Sequence, residues 1–381
     1  MAAAAVQGVR RWWRSAEAAV SLSLALCSGS VLAAGAPVAP LTPGAPVTAS
    51  STAPAAQAKL RIVGGLAGLN QYTRQEEPFW TRQFERLTAG RFSAEIVPFD
   101  RAGVPGSEML RLMQLGVVPF GTILVSSFTA QYPELTAPDL AGLNPDIATL
   151  KTTLAAFRPY LEKTLREQHG VEALAIYVYP AQVVFCKQPM QSLSDLAGRR
   201  TRVSSSTQAD FVSAFGAVPV HTGFAQIVPA MNTGSVECAV TGSMSGNTVG
   251  LHQLASHVHT MPITWGMAVF GANQSAWQAL PADVRALLRR ELPRLEAAIW
   301  MESERETADG MACNRGAAEC TGGRKGQMVE VKTSSQDESR RQEILRATVL
   351  PRWQQRCGPR CAEIWNRTIG PARGLTVQGG K

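Results

Sequence analysis

The chain has 381 residues, 45% of them hydrophobic and 17% charged, a globular composition on a length that exceeds what one hydrophobic core usually fills, so two lobes are expected. Its formal net charge is +8. No Lys/Arg run exceeds two residues and no aromatics are interleaved with the basic residues of the folded region, so the excess does not form a nucleic-acid footprint and no nucleic-acid partner is expected.

At the start, "VRRWWR" (9–14) is a basic stretch followed by the apolar run "AAVSLSLALCSGSVLA" (18–33), ending in a small-residue cleavage pattern at Ala33. This reads as a signal peptide over 1–33, too short to span a bilayer as a stable helix, with export to the periplasm as the consequence. Arg10-Arg11 leaves the export route open between the general and twin-arginine systems. Cleavage leaves 34 basic and 28 acidic residues, a charge of +6. Residues 34–58, rich in Pro, Ala, Thr and Ser and without charge, read as a disordered tether.

Six cysteines remain after the leader. In an oxidising compartment an even number favours disulfides. "CNRGAAEC" and "CGPRC" place Cys313 with Cys320 and Cys357 with Cys361 as two local clips. Cys186 and Cys238 read either as a pair or as buried thiols.

"KLRIVGG" (59–65) reads as a buried strand, "EEPFWTRQFERLTAG" (76–90) as a helix stopped at Gly90, and "FSAEIVPF" (92–99) as a strand. "SEMLRLMQLG" (107–116) reads as a helix with Ser107 as its N-cap, and "FGTILVSSF" (120–128) as another buried strand. The alternation repeats with strand material at 171–186, a strand at 199–203, a helix at 207–216, a strand at 217–221, a helix at 224–233 and a strand at 235–242. A long helical pattern follows over 281–306, with Pro293 expected to kink it, long enough to brace two lobes. The fold class is therefore α/β, with a mostly parallel sheet in each of two lobes.

In open α/β sheets ligands bind beyond the carboxyl ends of the strands. Those ends carry Asn70 and Tyr72 after the first strand, Ser126 and Ser127 after the third, and Arg202, Ser204, Thr241 and Ser243 in the second lobe. One fixed cation among neutral polar groups suits a carboxylate, which a guanidinium grips through two parallel charge-assisted bonds. The alternative for Arg202 is a half-exposed strand residue paired with Asp195 or another local acid. "GSMSG" (242–246) lacks the central serine of a nucleophile elbow. "HQLASHVH" (252–259) gathers three histidines without acids or thiolates. No catalytic group, metal or cofactor is expected.

"LSDLAGRRTRVSSSTQADFVSAFGAVPVHTGFAQIVPAMNTGSVECAVTG" (193–242) resembles the core signature of the solute-binding proteins of TRAP transporters, the tripartite ATP-independent periplasmic systems. "GRFSAEIVPFDRAGVPGSEMLRLMQLG" (90–116) and "WQALPADVRALL" (277–288) extend the likeness over about residues 59–310. The resemblance implies a two-lobed periplasmic-binding-protein fold with lobe 1 over 59–180 and 266–306 and lobe 2 over 181–265 and 307–372. It implies a monomeric receptor that closes over an organic acid and hands it to membrane permease subunits. Arg202 falls on the family's carboxylate-binding arginine and Phe224 on an aromatic that lines the pocket. Gln182 stands where some members carry a second arginine, and Thr241-Gly242 where many have Asn-Pro, so a ligand of less negative charge or different shape than sialic acid is expected. A receptor of an ATP-driven importer, a sensor partner, and an exported enzyme acting on small acids are the alternatives.

Overall fold

The protein is described by a computed structural model over residues 58–378. The leader and the tether lie outside the described residues, except that Ala58 already pairs with Phe92 in the first sheet.

Two sheets organise the chain. The first contains β1 (Ala58–Gly64), β2 (Phe92–Pro98), β3 (Phe120–Leu124), β4 (Val171–Tyr177) and β10 (Ala268–Asn273), in the order β2-β1-β3-β10-β4. The second contains β5 (Gln182–Cys186), β6 (Arg200–Val203), β7 (Val218–His221), β8 (Cys238–Gly242), β9 (His257–His259) and β11 (Val329–Val331), in the order β11-β9-β5-β8-β6-β7. The parallel expectation describes β1 with β2 and β3, and β6 with β7 and β8. The strands next to a crossing between lobes run the other way: β10 is antiparallel to β3 and β4, and β5 to β8 and β9. A strand that arrives from the other lobe needs no helical crossover, so the constraint that makes βαβ units parallel does not act on it. In β1, consecutive Ile62 and Val63 are both buried, as a sheet covered on both faces requires.

Helix boundaries follow local chemistry. Helix α1 (Met109–Gln114) is preceded by a tight 3-10 turn over Gly106–Glu108, so Ser107 sits inside that turn and caps nothing; the helix begins after Glu108 without a side-chain cap. Helix α2 (Ile147–His169) is capped by Asp146, whose Oδ1 accepts from Thr149 N at 2.7 Å, and stops at Gly170, where φ is +59°. Its buried stripe runs Ile147, Leu150, Leu154, Phe157, Leu161 and Leu165. Helix α3 (Ser206–Ser213) has Ser205 as its N-cap. Helix α4 (Ser243–Thr248) contains most of the "GSMSG" stretch.

The long helix α5 (Ala282–Asn314) runs through Pro293 and eight residues beyond its expected end. It attaches to both lobes. On the first, Trp300 Nε1 donates to Ile176 O at 2.8 Å and Ser303 Oγ to Val178 O at 2.6 Å. On the second, Ser243 Oγ donates to Thr307 O at 3.0 Å and Asn314 Nδ2 to Ser243 O at 2.9 Å. The C-terminal helices α6 (Ser335–Ile344), α7 (Leu350–Cys357), α8 (Pro359–Arg367) and α9 (Ile369–Arg373) pack on both lobes rather than on lobe 2 alone. Trp353 Nε1 donates to Pro133 O at 2.7 Å and Arg373 Nη2 to Leu143 O at 3.3 Å, on lobe 1. Arg356 meets Asp210 of α3, on lobe 2, at 2.6 Å.

Among the described residues there are three disulfides: the clips Cys313–Cys320 and Cys357–Cys361, and Cys186–Cys238, whose residues face each other in the β5–β8 register.

Candidate functional site

A cavity of about 790 Å³ opens between the lobes, lined by the carboxyl ends of strands from both sheets. Of the sequence-derived candidates, Ser126, Ser127, Gln182, Arg202, Ser204, Phe224 and Thr241 line it.

Arg202 occupies the third position of β6. Arg200, on the same face, starts the strand, is exposed and pairs with Glu237 at 3.3 Å. Two residues on, the strand has run into the interior and Arg202 is 3% exposed. Its guanidinium is held by carbonyls: Nε and Nη2 donate to Thr222 O at 3.0 and 2.8 Å, and Nη1 to Val240 O at 2.8 Å. Among the described residues no carboxylate forms an ion pair with it. Asp195 is spent elsewhere, its Oδ2 accepting from Gln191 N at 2.6 Å and Ser192 N at 3.2 Å in a capping box. Burial pulls the Arg202 guanidinium down to about 10, so it remains a cation at neutral pH. Three of its five N–H groups are used, which leaves two for a ligand.

Gln182, the first residue of β5, is oriented from behind. Its Oε1 accepts from Thr264 Oγ1 at 2.7 Å and from Gln208 Nε2, while Gln208 Oε1 accepts from Ser204 N at 2.8 Å and Ser204 Oγ at 3.1 Å. With its oxygen engaged, the Gln182 amide offers Nε2 as a neutral donor. Phe224 follows Gly223 at the start of a tight turn and is partly buried against both apolar clusters. Among the described residues Thr222 Oγ1 is buried without a partner.

Asn70, Tyr72 and Ser243 lie outside the cavity. Asn70 Nδ2 and Gln71 Nε2 donate to the Glu306 carboxylate, and Ser243 Oγ donates to the Glu306 carbonyl at 3.2 Å. Asn70 and Ser243 are therefore the lobe 1 and lobe 2 attachments of the bracing helix at one residue. Tyr72 packs under β1, where a Cβ at Gly64 would come within 2.7 Å of its ring.

Several lining residues follow strand ends that the sequence reading did not exploit. Asp100 comes two residues after β2, Tyr179 two after β4, and His221 ends β7. The carboxyl-end rule, applied to those strands, reaches all three. Gly266 and Met267 also line the cavity, on the crossing back to lobe 1. The crossing is held by Asp139, whose carboxylate accepts from Trp265 N and Gly266 N at 2.9 Å each. Burial lifts Asp139 to about 7 against the pull of those amides. Nothing in the local sequence around 266 signals this contact.

The histidine group does not converge. His252 Nδ1 faces Asn247 O, His257 Nδ1 faces Ser256 Oγ, and His259 Nδ1 accepts from Met261 N.

Two lobes of mixed α/β sheet, bridged by strands and a long helix and enclosing a cleft with one buried cation, define a solute-binding protein. Residues 67–316 match the family model of DctP, the bacterial extracellular solute-binding protein family 7, and the chain belongs to that family, the solute-binding proteins of TRAP transporters. A C4-dicarboxylate-binding periplasmic protein DctP of Rhodobacter capsulatus is 24% identical over 218 residues, a match spanning 55% of this chain and 63% of that relative. Similar solved structures include an extracytoplasmic solute receptor of Bordetella pertussis binding pyroglutamic acid, at TM-score 0.70 and 21% identity, covering 81% of this chain and 98% of that one. A TRAP periplasmic solute-binding protein of Desulfovibrio salexigens with bound orotic acid gives TM-score 0.73 at 16% identity, covering 83% and 98%. One from Shewanella oneidensis with bound succinate gives 0.68 at 17%, covering 84% and 100%.

Proposed function

We propose that this protein is a non-catalytic extracytoplasmic receptor that binds a small organic acid between its lobes and delivers it to the permease subunits of a TRAP transporter. The observation that carries this reading is Arg202, a buried cation lining the cavity, paired with carbonyls instead of an acid, with two N–H groups left over. A carbonyl holds a guanidinium without neutralising it, so the charge remains available to a carboxylate. Phe224 supplies an apolar wall, while Gln182, Thr241, Ser126, Ser127 and Ser204 offer neutral polar groups to the rest of the ligand. The ligands bound in the similar structures, pyroglutamic acid, orotic acid and succinate, all carry a carboxylate. Export through the leader at 1–33 and action as a monomer complete the reading.

The test is a thermal-shift screen of organic acids, sugars and amines. At least one carboxylate is expected to raise the melting temperature, with a stabilisation of about 2.7 kcal/mol at 100 times its dissociation constant. Stabilisation by uncharged sugars or amines, with none by any acid, contradicts the assignment.

A further inference from the structure

The charged lining of the cavity is sparse and of mixed sign. Among the described residues Arg202 is its one cation from Lys or Arg, Asp100 its one carboxylate, and His221 its one imidazole; the other polar side chains are neutral. Asp100 stands on the lobe 1 wall just after β2, with Oδ1 accepting from Ala67 N at 2.8 Å. Among the described residues no cation forms an ion pair with it. Arg202, on the lobe 2 wall, has two N–H groups to spare, the number that one bidentate carboxylate takes up. Another donor lining the cavity, Gln182 Nε2, is neutral, its orientation set by Thr264 and Gln208 at Oε1.

We propose that Asp100 limits the site to ligands bearing a single carboxylate, whose remaining groups are carbonyls, hydroxyls or amides. This rests on the carboxylate reading of Arg202 and narrows it. A dicarboxylate brings a second negative charge into a cleft whose one guanidinium is already engaged and whose opposite wall carries an anion. Rejection of a near-isosteric ligand by a like charge is the usual route to such discrimination. A neutral carbonyl or hydroxyl in the same place carries no charge for Asp100 to repel.

The experiment is titration calorimetry on the full chain and its Asp100→Asn variant, in the same buffer and at the same pH for both proteins. The probes are pyroglutamate, orotate and succinamate as monocarboxylates, succinate and L-malate as dicarboxylates, and succinamide as the uncharged control. Asp100→Asn keeps the oxygen that accepts from Ala67, and its ligand-free melting curve reports the fold. The tightest monocarboxylate is expected to bind at least about tenfold more tightly than either dicarboxylate, and the variant to shrink that ratio. A dicarboxylate that binds as tightly as the best monocarboxylate, or a ratio unchanged in Asp100→Asn, overturns this inference and leaves the carboxylate reading standing. Binding of succinamide alone, or of no acid at all, overturns the carboxylate reading and this inference with it.

Discussion

A guanidinium anchored by two carbonyl oxygens keeps both its charge and its direction. The anchoring takes Nε, Nη1 and Nη2 together, a planar fork that lysine does not reproduce. Arg202→Lys is therefore expected to retain the fold by circular dichroism and to weaken acid binding at least tenfold in calorimetry, since a charge-assisted bond contributes roughly 1.5–3 kcal/mol. Binding unchanged in the lysine variant would show that the fork is not used. A second residue sets a pH dependence of stability. Glu76 is 1% exposed, with Oε2 accepting from Gly65 N at 2.6 Å and Oε1 from Thr122 Oγ1 at 3.0 Å. Burial outweighs those bonds and raises it from 4.5 to about 7. A carboxyl whose folded value is raised stabilises fully below its unfolded value and loses that contribution as pH rises through the folded one. The wild type should thus lose on the order of 3 kcal/mol between pH 4.5 and 7.5 through this group. Glu76→Gln, where the Thr122 hydroxyl can turn to accept from the new amide, should lack that slope when denaturant midpoints are followed against pH. Equal slopes in the two proteins would contradict the assignment.

The elements that build the site were the most legible part of the sequence, because their patterns are local. β6, β7 and β8 and the helices between them follow from alternation and from turns at Gly216, Gly223 and Gly234. α2 was missed in the sequence reading although its signal is local, with Asp146 to start it, Gly170 to stop it and an apolar stripe between. Contacts distant in sequence left no such trace. The three-residue strands β9 and β11 exist through their pairing with neighbours, and the tail's seat on both lobes depends on pairs such as Trp353 with Pro133. The pairing of Cys186 with Cys238 likewise became definite only in the register of β5 with β8. That disulfide pins the strand pair whose other end supplies Gln182 and Thr241 to the cavity, and it closes a separation of 52 residues. Chain entropy assigns such a crosslink about 4 kcal/mol, so Cys186→Ala/Cys238→Ala should lower the denaturation midpoint far more than removal of either short clip. The bracing helix offers a sharper probe. A Cβ at Gly310 would come within 2.3 Å of Met244 N and 2.6 Å of the Ser243 carbonyl carbon. Gly310→Ala should destabilise by about 1–3 kcal/mol by lifting α5 from lobe 2; a neutral melting curve would show that the close approach is not needed.

At the scale of the whole molecule, the two sheets share three connections: the strand crossings near 178–181 and 260–267, and α5. Side chains also meet across the cleft, where Ser206 N and Oγ donate to Thr129 Oγ1 at 3.3 Å each. Such a layout suits hinge closure about a few crossing residues, with the tail helices tracking both lobes. Ligand is expected to reduce the radius of gyration in small-angle scattering, and an unchanged radius at saturation would speak against closure. The two-lobed plan was legible from length and from repeated strand–helix alternation. Which strand-end residues face the cleft was only partly so, since Asn70 and Ser243 serve the brace on α5 instead of the cavity. The most direct test of the central claim is calorimetric titration of the acid that gives the largest thermal shift into wild type and into Arg202→Ala. Saturable binding to the wild type and none to the variant is the expected result. Equal affinity in both proteins would mean that the buried guanidinium is not what recognises the solute.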